Sequence, residues 1–192
     1  MARAQPLGEL PRTVDEFDRW NREQPDRWEV IPGVPVMMAP GSRRHTIING
    51  NIHAEWPAKL AGASCTAYVD GTELRGEDQS AIPDAVVSCR SPDFSTPLED
   101  APAVIVQVSS RTSFNQDMIS KLGRYRLYPT LQRHLVAHFD ARCARLPHRE
   151  TVDGLIQLWQ GAGTIDPPAI GVTLTLDEIL EAVPVTEPGG AP

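Results

Sequence analysis

APAVIVQVSS, residues 101–110, decides the fold. A short run of Val and Ile bounded by Pro and Ser reads as a central strand buried on both faces. PDAVVSC (83–89) has the same character, and SCTAYVDGTEL (64–74) is a third extended segment. Together they predict the middle of a sheet.

Working outward, SFNQDMISKLGRYRLYP (113–129) carries Phe114, Met118, Leu122 and Tyr125 on one stripe and stops before Pro129. That spacing predicts an amphipathic helix packed across the sheet, slightly weakened by Gly123. RHLVAHFD (133–140), ARCARLPHRE (141–150) and LIQLWQG (155–161) read as successive strands joined by turns. LTLDEILEAV (174–183) then closes the domain with Thr175 and Glu178 in capping-box spacing.

On the N-terminal side, HTIINGNIHAEWPAKLAGA (45–63) repeats Ile48, Ile52, Trp56 and Leu60 at four-residue intervals. This predicts a helix that Pro57 kinks or shortens and Gly62 ends. RWEVIPGVPVMMAP (27–40) reads as a hairpin around Pro32-Gly33, and TVDEFDRWNRE (13–23) as a short first helix capped by Thr13 with Glu16 three residues on. The expected architecture is α/β, a mixed central β-sheet flanked by helices. It forms one domain over residues 13–183, between a flexible arm (1–12) and a disordered tail (184–192).

The 192 residues, 41% hydrophobic and 22% charged, suffice for one well-buried core. No apolar run approaches the roughly 20 residues of a membrane span, and the first residues lack the apolar core of a signal peptide, so a cytoplasmic protein is expected. Cys65, Cys89 and Cys143 are odd in number and widely spaced, which predicts three reduced thiols. A net charge of −7 argues against a protein that coats nucleic acid through bulk electrostatics. The charge is uneven, however: residues 111–149 hold seven Arg and Lys121 against Asp117 and Asp140. Either a basic face on an acidic body or ordinary solvent-facing arginines would give this pattern.

The polar residues that interrupt the apolar strands carry the chemistry. Asp84 follows Pro83 into one strand, Gln107 sits in VIVQV of the next, and Asp117 and Lys121 lie four apart on the following helix. A carboxylate there ligates Mg²⁺ or Mn²⁺ through oxygen, and a nearby lysine orients the attacking water or stabilises phosphate charge. Each residue also has a plainer reading. Asp84 would initiate a strand, Gln107 would satisfy backbone groups, Asp117 and Lys121 would form a surface ion pair, and Glu29 would face solvent on an alternating strand. His45, His53, His134, His138 and His148 lack zinc-site spacing, and neither GxSxG nor a phosphate-binding GxxxxGK[ST] loop occurs.

The ordered set WEVIPGVPVMMAP, His45, IPDAVVSC, VQVSSRTS and DMISKLGRY resembles the Uma2 group of the PD-(D/E)xK nuclease superfamily over roughly Thr13 to Val183. The resemblance implies a restriction-endonuclease-like core with an N-terminal helix and hairpin, and a metal-dependent DNA endonuclease using Mg²⁺ or Mn²⁺. It implies Asp84 as the first metal-binding acid, Gln107 in the place of the second, Lys121 as the catalytic lysine on the helix, and Glu29 as the early glutamate. DNA is the implied substrate and a homodimer the implied assembly. The chain departs from the group at Gln107, where glutamate is usual. An amide oxygen brings no negative charge, so metal affinity is expected to fall. The alternative is a catalytically inactive pseudo-nuclease retained as a nucleic-acid- or protein-binding module, and a third is an α/β domain with no nucleic-acid role.

Overall fold

The computed structural model describes residues 11–31, 34–38, 40–70, 72–76, 79–96, 98–99, 101–109, 121–125, 127–138, 143–147, 156–160, 164–165 and 170–183. The chain forms two compact units, one of residues 1–40 with 75–81, the other of residues 41–74 with 82–192.

In the first unit, α1 (Val14–Asn21) begins where Thr13 turns extended and its hydroxyl accepts the Glu16 N–H. Glu16 accepts in turn from the Arg12 N–H at 2.8 Å. Val14 and Phe17 are buried. The expected hairpin is β1 (Trp28–Ile31) against β2 (Val34–Met37), in antiparallel register from Trp28↔Met37 to Ile31↔Val34. Its apex, residues 32–33, lies outside the described residues. Arg75 pairs with Asp15 and, at 2.7 Å, with Asp18 on α1. Glu29 on β1 is 5% exposed, which corrects the solvent-facing reading of strand alternation.

The second unit is built on a six-stranded sheet. Helix α2 (Arg43–Lys59) leads into β3 (Thr66–Val69) and the short β4 (Glu73–Arg75), after which β5 (Ser80–Ala81) belongs to the first unit, where Ser80 pairs with Val30 of β1. The sheet runs from β3 through β6 (Ala85–Ser88), β8 (Pro102–Ser109), β9 (Arg133–His138) and β10 (Cys143–Pro147) to β11 (Ile156–Gln160). The two-residue β7 (Leu98–Glu99), between β6 and β8 in the chain, pairs instead with β4. Strands β8 and β9 are parallel, while the other neighbours in the six-stranded sheet are antiparallel, so the sheet is mixed as expected. Every residue of β8 is buried, Gln107 and Ser109 included, as its Val and Ile content implies for a central strand.

Val104, Val106 and Val108 share a core with Ala85, Val87, Leu135 and Ala137, covered by Ile48, Ile52, Trp56 and Leu60 of the α2 stripe. Because side chains alternate along a strand, Ile105 and Gln107 take the opposite face, as do Val86 and, one step before β6, Asp84. His134 and Val136, the β9 partners of Ile105 and Gln107, take it too. The short helix α3 (Leu122–Tyr125) lies between β8 and β9 in the chain. At the end, β12 (Thr164–Ile165) pairs with β13 (Leu174–Thr175), and α4 (Leu176–Ile179) follows. The capping box of α4 is complete, Thr175 Oγ1 taking the Glu178 N–H and Glu178 taking the Thr175 N–H.

Pro57 stays inside α2, where only Ala58 and Lys59 follow it before the cap at Leu60. The helix expected over 113–129 is described only from Lys121 onward, so Phe114, Asp117 and Met118 lie outside the described residues. The three reduced thiols are corrected: Cys65 and Cys89 are joined by a disulfide. The cause is register. Thr66 pairs with Ser88 across β3 and β6, so one step further Cys65 faces Cys89 with Cα atoms 3.9 Å apart. Among the described residues, no helix is long and apolar enough to cross a membrane.

Candidate functional site

Asp84 owes its direction to the strand that follows it. Its backbone oxygen accepts the Asp70 N–H, which extends the β3·β6 ladder past Val69↔Ala85. With Ala85 committed to the core, the Asp84 side chain points to the other face, beside the neighbouring β8 residue Gln107. Asp84 is 9% exposed, and Gln107 and Lys121 are each 7% exposed.

A carboxylate with four lone-pair sites needs donors when buried, and Asp84 has four. Its Oδ2 accepts from Gln107 Nε2 and from the Val108 backbone N–H, both at 2.7 Å. Its Oδ1 accepts from Asn49 Nδ2 at 3.1 Å and meets His45 Nε2 at 2.8 Å. His45 and Asn49 reach it from the first turns of α2, four residues apart on one side of the helix. The Ser42 hydroxyl fixes that end of the helix by accepting the His45 N–H. A His45 tautomer with hydrogen on Nε2 donates to Asp84 and leaves Nδ1, 3.5 Å from Asn49 Nδ2, as an acceptor.

Gln107 relays charge between two ionisable groups. Its NH₂ faces Asp84, and its Oε1 accepts from Lys121 Nζ at 3.5 Å. Rotating the amide by 180° would set oxygen against oxygen and NH₂ against ammonium, so both neighbours fix its orientation. Beyond Lys121, His134 is 2% exposed and stacks edge-on against Tyr125. Burial first, and then the Lys121 charge, push the His134 imidazole down to about 3, so it stays neutral at physiological pH.

The structure therefore brings together Asp84, Gln107 and Lys121. Asp117 lies outside the described residues, and Glu29 belongs to the first unit. Sequence reasoning places His45 only within a family pattern and misses Asn49, although the i, i+4 spacing beside the apolar stripe is visible. It weighs His134 only as a zinc ligand. The burial of His134 follows from pairing beside Ile105, which the sequence alone does not register.

The donor set as it stands does not fit a divalent metal. Asp84 offers one charged carboxylate, but Gln107 and Asn49 both turn their NH₂ groups to it, and the Gln107 oxygen faces the Lys121 ammonium. Asn49 Oδ1 is buried with no hydrogen-bond partner. Among the described residues, no three His, Cys, Asp or Glu gather as a metal cluster. A cation at Asp84 would have to displace one of its donors and find the Gln107 amide reversed.

Residues 14–177 match the family model of Uma2, described as "Putative restriction endonuclease". The chain is 25% identical over 182 residues to an uncharacterised protein of Synechocystis sp., covering 91% of this chain and 94% of that one. A crystal structure from Anabaena variabilis, described as a "putative nuclease belonging to DUF820", superposes with a TM-score of 0.70 at 15% identity, covering 88% of this chain and 97% of that one. At that identity the likeness speaks for the fold alone, a mixed α/β core that the two chains share.

Proposed function

The chain belongs to the Uma2 family, and from that premise we propose that it is a metal-dependent DNA endonuclease hydrolysing phosphodiester bonds. The observation that carries the reading is the convergence of Asp84, Gln107 and Lys121 on one sheet face, linked by hydrogen bonds and almost wholly buried. In this reading Asp84 and Gln107 would hold Mg²⁺ or Mn²⁺ once the Gln107 amide reverses and a donor leaves Asp84, and the ion would supply Lewis-acid chemistry toward a phosphate. Lys121 sets a fixed positive charge where negative charge grows on the phosphoryl oxygens, in a site where low dielectric strengthens the effect. The Val108 N–H and Asn49 each hold one oxygen of the Asp84 carboxylate. Neutral His134 lies near the lysine without adding a second cation. Glu29 enters through the family resemblance alone. DNA in the cytoplasm is the substrate in this reading, and a homodimer the assembly, which sedimentation of the purified protein would check.

The second reading, a pseudo-nuclease that binds without turnover, is favoured by one observation: all four lone-pair sites of Asp84 are filled by protein donors. A plasmid-nicking assay with Mg²⁺ and Mn²⁺ separates the two, using wild type, Gln107→Glu and Asp84→Asn. Cleavage by wild type that Asp84→Asn abolishes supports the endonuclease. Silence in wild type with cleavage restored by Gln107→Glu supports the disarmed scaffold. Silence in all three would sink the endonuclease reading.

A further inference from the structure

We infer that the Cys65–Cys89 bond is a modification site for low-molecular-weight thiols, which enter it at Cys89 and not at Cys65. The inference is independent of the endonuclease reading.

The two bonded cysteines lie in different surroundings. Cys65 is 7% exposed and belongs to the core with Ile48, Ile52, Trp56, Ala85 and Val87. Cys89, one step past the Thr66↔Ser88 pair on the opposite strand, is exposed. The local chain explains the difference. β6 shifts register against β8 between Val87 and Ser88. The Ser88 hydroxyl then donates to the Ala101 carbonyl and accepts the Arg90 N–H, both at 3.3 Å. Cys89 is the middle residue of this side-chain turn, which is pinned to the residue before β8 and carries the chain out of the sheet.

Thiol–disulfide exchange needs a thiolate to reach one sulfur of the pair, so access decides which sulfur is attacked. A small thiolate reaches Cys89 from solvent, whereas core side chains surround Cys65. The thiolate sulfur bonds to Cys89 Sγ, the S–S bond breaks, and its electron pair goes to Cys65 Sγ, which takes a proton from water. The products are a mixed disulfide at Cys89 and a Cys65 thiol that lies in the core as a small apolar group. Return of the Cys65 sulfur, as thiolate, to Cys89 expels the small thiol and restores the bond. Opening also removes the covalent tie on β3, which stands at the edge of the six-stranded sheet beside β6.

The test uses the full chain, purified without reductant, incubated while folded with reduced glutathione and quenched with N-ethylmaleimide in denaturant. Peptide mapping should find glutathione on Cys89 and maleimide on Cys65 of the same chains. Glutathione on Cys65, or on both to the same extent, overturns the inference. So does a bond that stays closed in folded protein and opens only after unfolding in urea, or a chain that enters the assay with both cysteines as thiols. Two variants give an independent measure with oxidised glutathione, circular dichroism confirming their fold. Cys65→Ala should be modified at Cys89 while folded, and Cys89→Ser should keep Cys65 unmodified until urea unfolds it. Equal modification of the two folded variants overturns the inference, and the wild-type mapping carries the test alone should either variant fail to fold.

Discussion

Gln107 gives its side-chain NH₂ to Asp84 Oδ2 at 2.7 Å while its carbonyl faces Lys121 at 3.5 Å, so a single amide joins a buried anion to a buried cation. Glutamate at this position could not do both without a counter-ion, since it would set a second carboxylate against Asp84. The glutamine thus serves both buried charges with one neutral side chain.

Gln107→Glu should therefore lower the metal-free stability by about 1.5–3 kcal/mol, the worth of a hydrogen bond to a charged group. Added Mn²⁺ should recover more of that loss than it adds to wild type. Thermal melts with Mn²⁺ and with chelator check this. An unchanged Tm in chelator would refute the relay.

His134 predicts acid sensitivity. Its pKa is about 3 in the folded protein against an ordinary 6.5, so below pH 6.5 the unfolded chain takes up a proton that the folded one refuses. Stability is fully present above about pH 6.5 and is lost as pH falls toward 3. His134→Phe keeps an aromatic ring against Tyr125 and should show a smaller fall in Tm between pH 7 and pH 4 than wild type. Lys121→Met removes the second cause of the shift, so a ¹⁵N-edited titration of His134 should show a higher pKa in that variant. Identical acid profiles for wild type and His134→Phe would place the acid response elsewhere.

Much of this arrangement is legible in the sequence because its central strands are rich in Val and Ile and its helix caps are local. Thr13, Thr175 and the Ile48, Ile52 and Trp56 stripe need only neighbours a few residues away. The interruption of VIVQV by Gln107 is visible for the same reason. What is not legible depends on register. The Cys65–Cys89 bond exists because Thr66 pairs with Ser88, and His134 is buried because it pairs beside Ile105. Asn49 stays hidden because its importance comes from Asp84, 35 positions away.

The disulfide gives a third prediction. It closes a loop of 24 positions between β3 and β6, for which loss of chain entropy corresponds to about 3 kcal/mol. Alkylation of denatured, unreduced protein should label Cys143 alone, and reductant should lower Tm. Three labelled thiols in protein purified without reductant would refute the cross-link.

The last prediction concerns α4, whose four residues are too few to be helical unaided and depend on what holds them. Leu176 and Ile179 are buried in the core, Asn51 of α2 donates to the Ile179 and Glu181 carbonyls, and Lys59 pairs with Glu178 at 2.6 Å. Leu176→Ala should cost about 2–5 kcal/mol and Thr175→Ala about 1 kcal/mol, from a lost core side chain and a lost cap. Lys59→Ala should cost less than either, because its ion pair is partly solvated. Lys59 is the first cause of the lowered Glu178 pKa, with the Thr175 N–H next. A depressed carboxylate contributes stability above its unfolded value of 4.5 and loses it as pH falls through the folded one, so Lys59→Ala should flatten that part of the acid profile. Urea unfolding at pH 7 and pH 4 measures both effects. A Lys59→Ala penalty that is equal at the two pH values would show that the pair holds α4 through packing of the lysine stem rather than through charge.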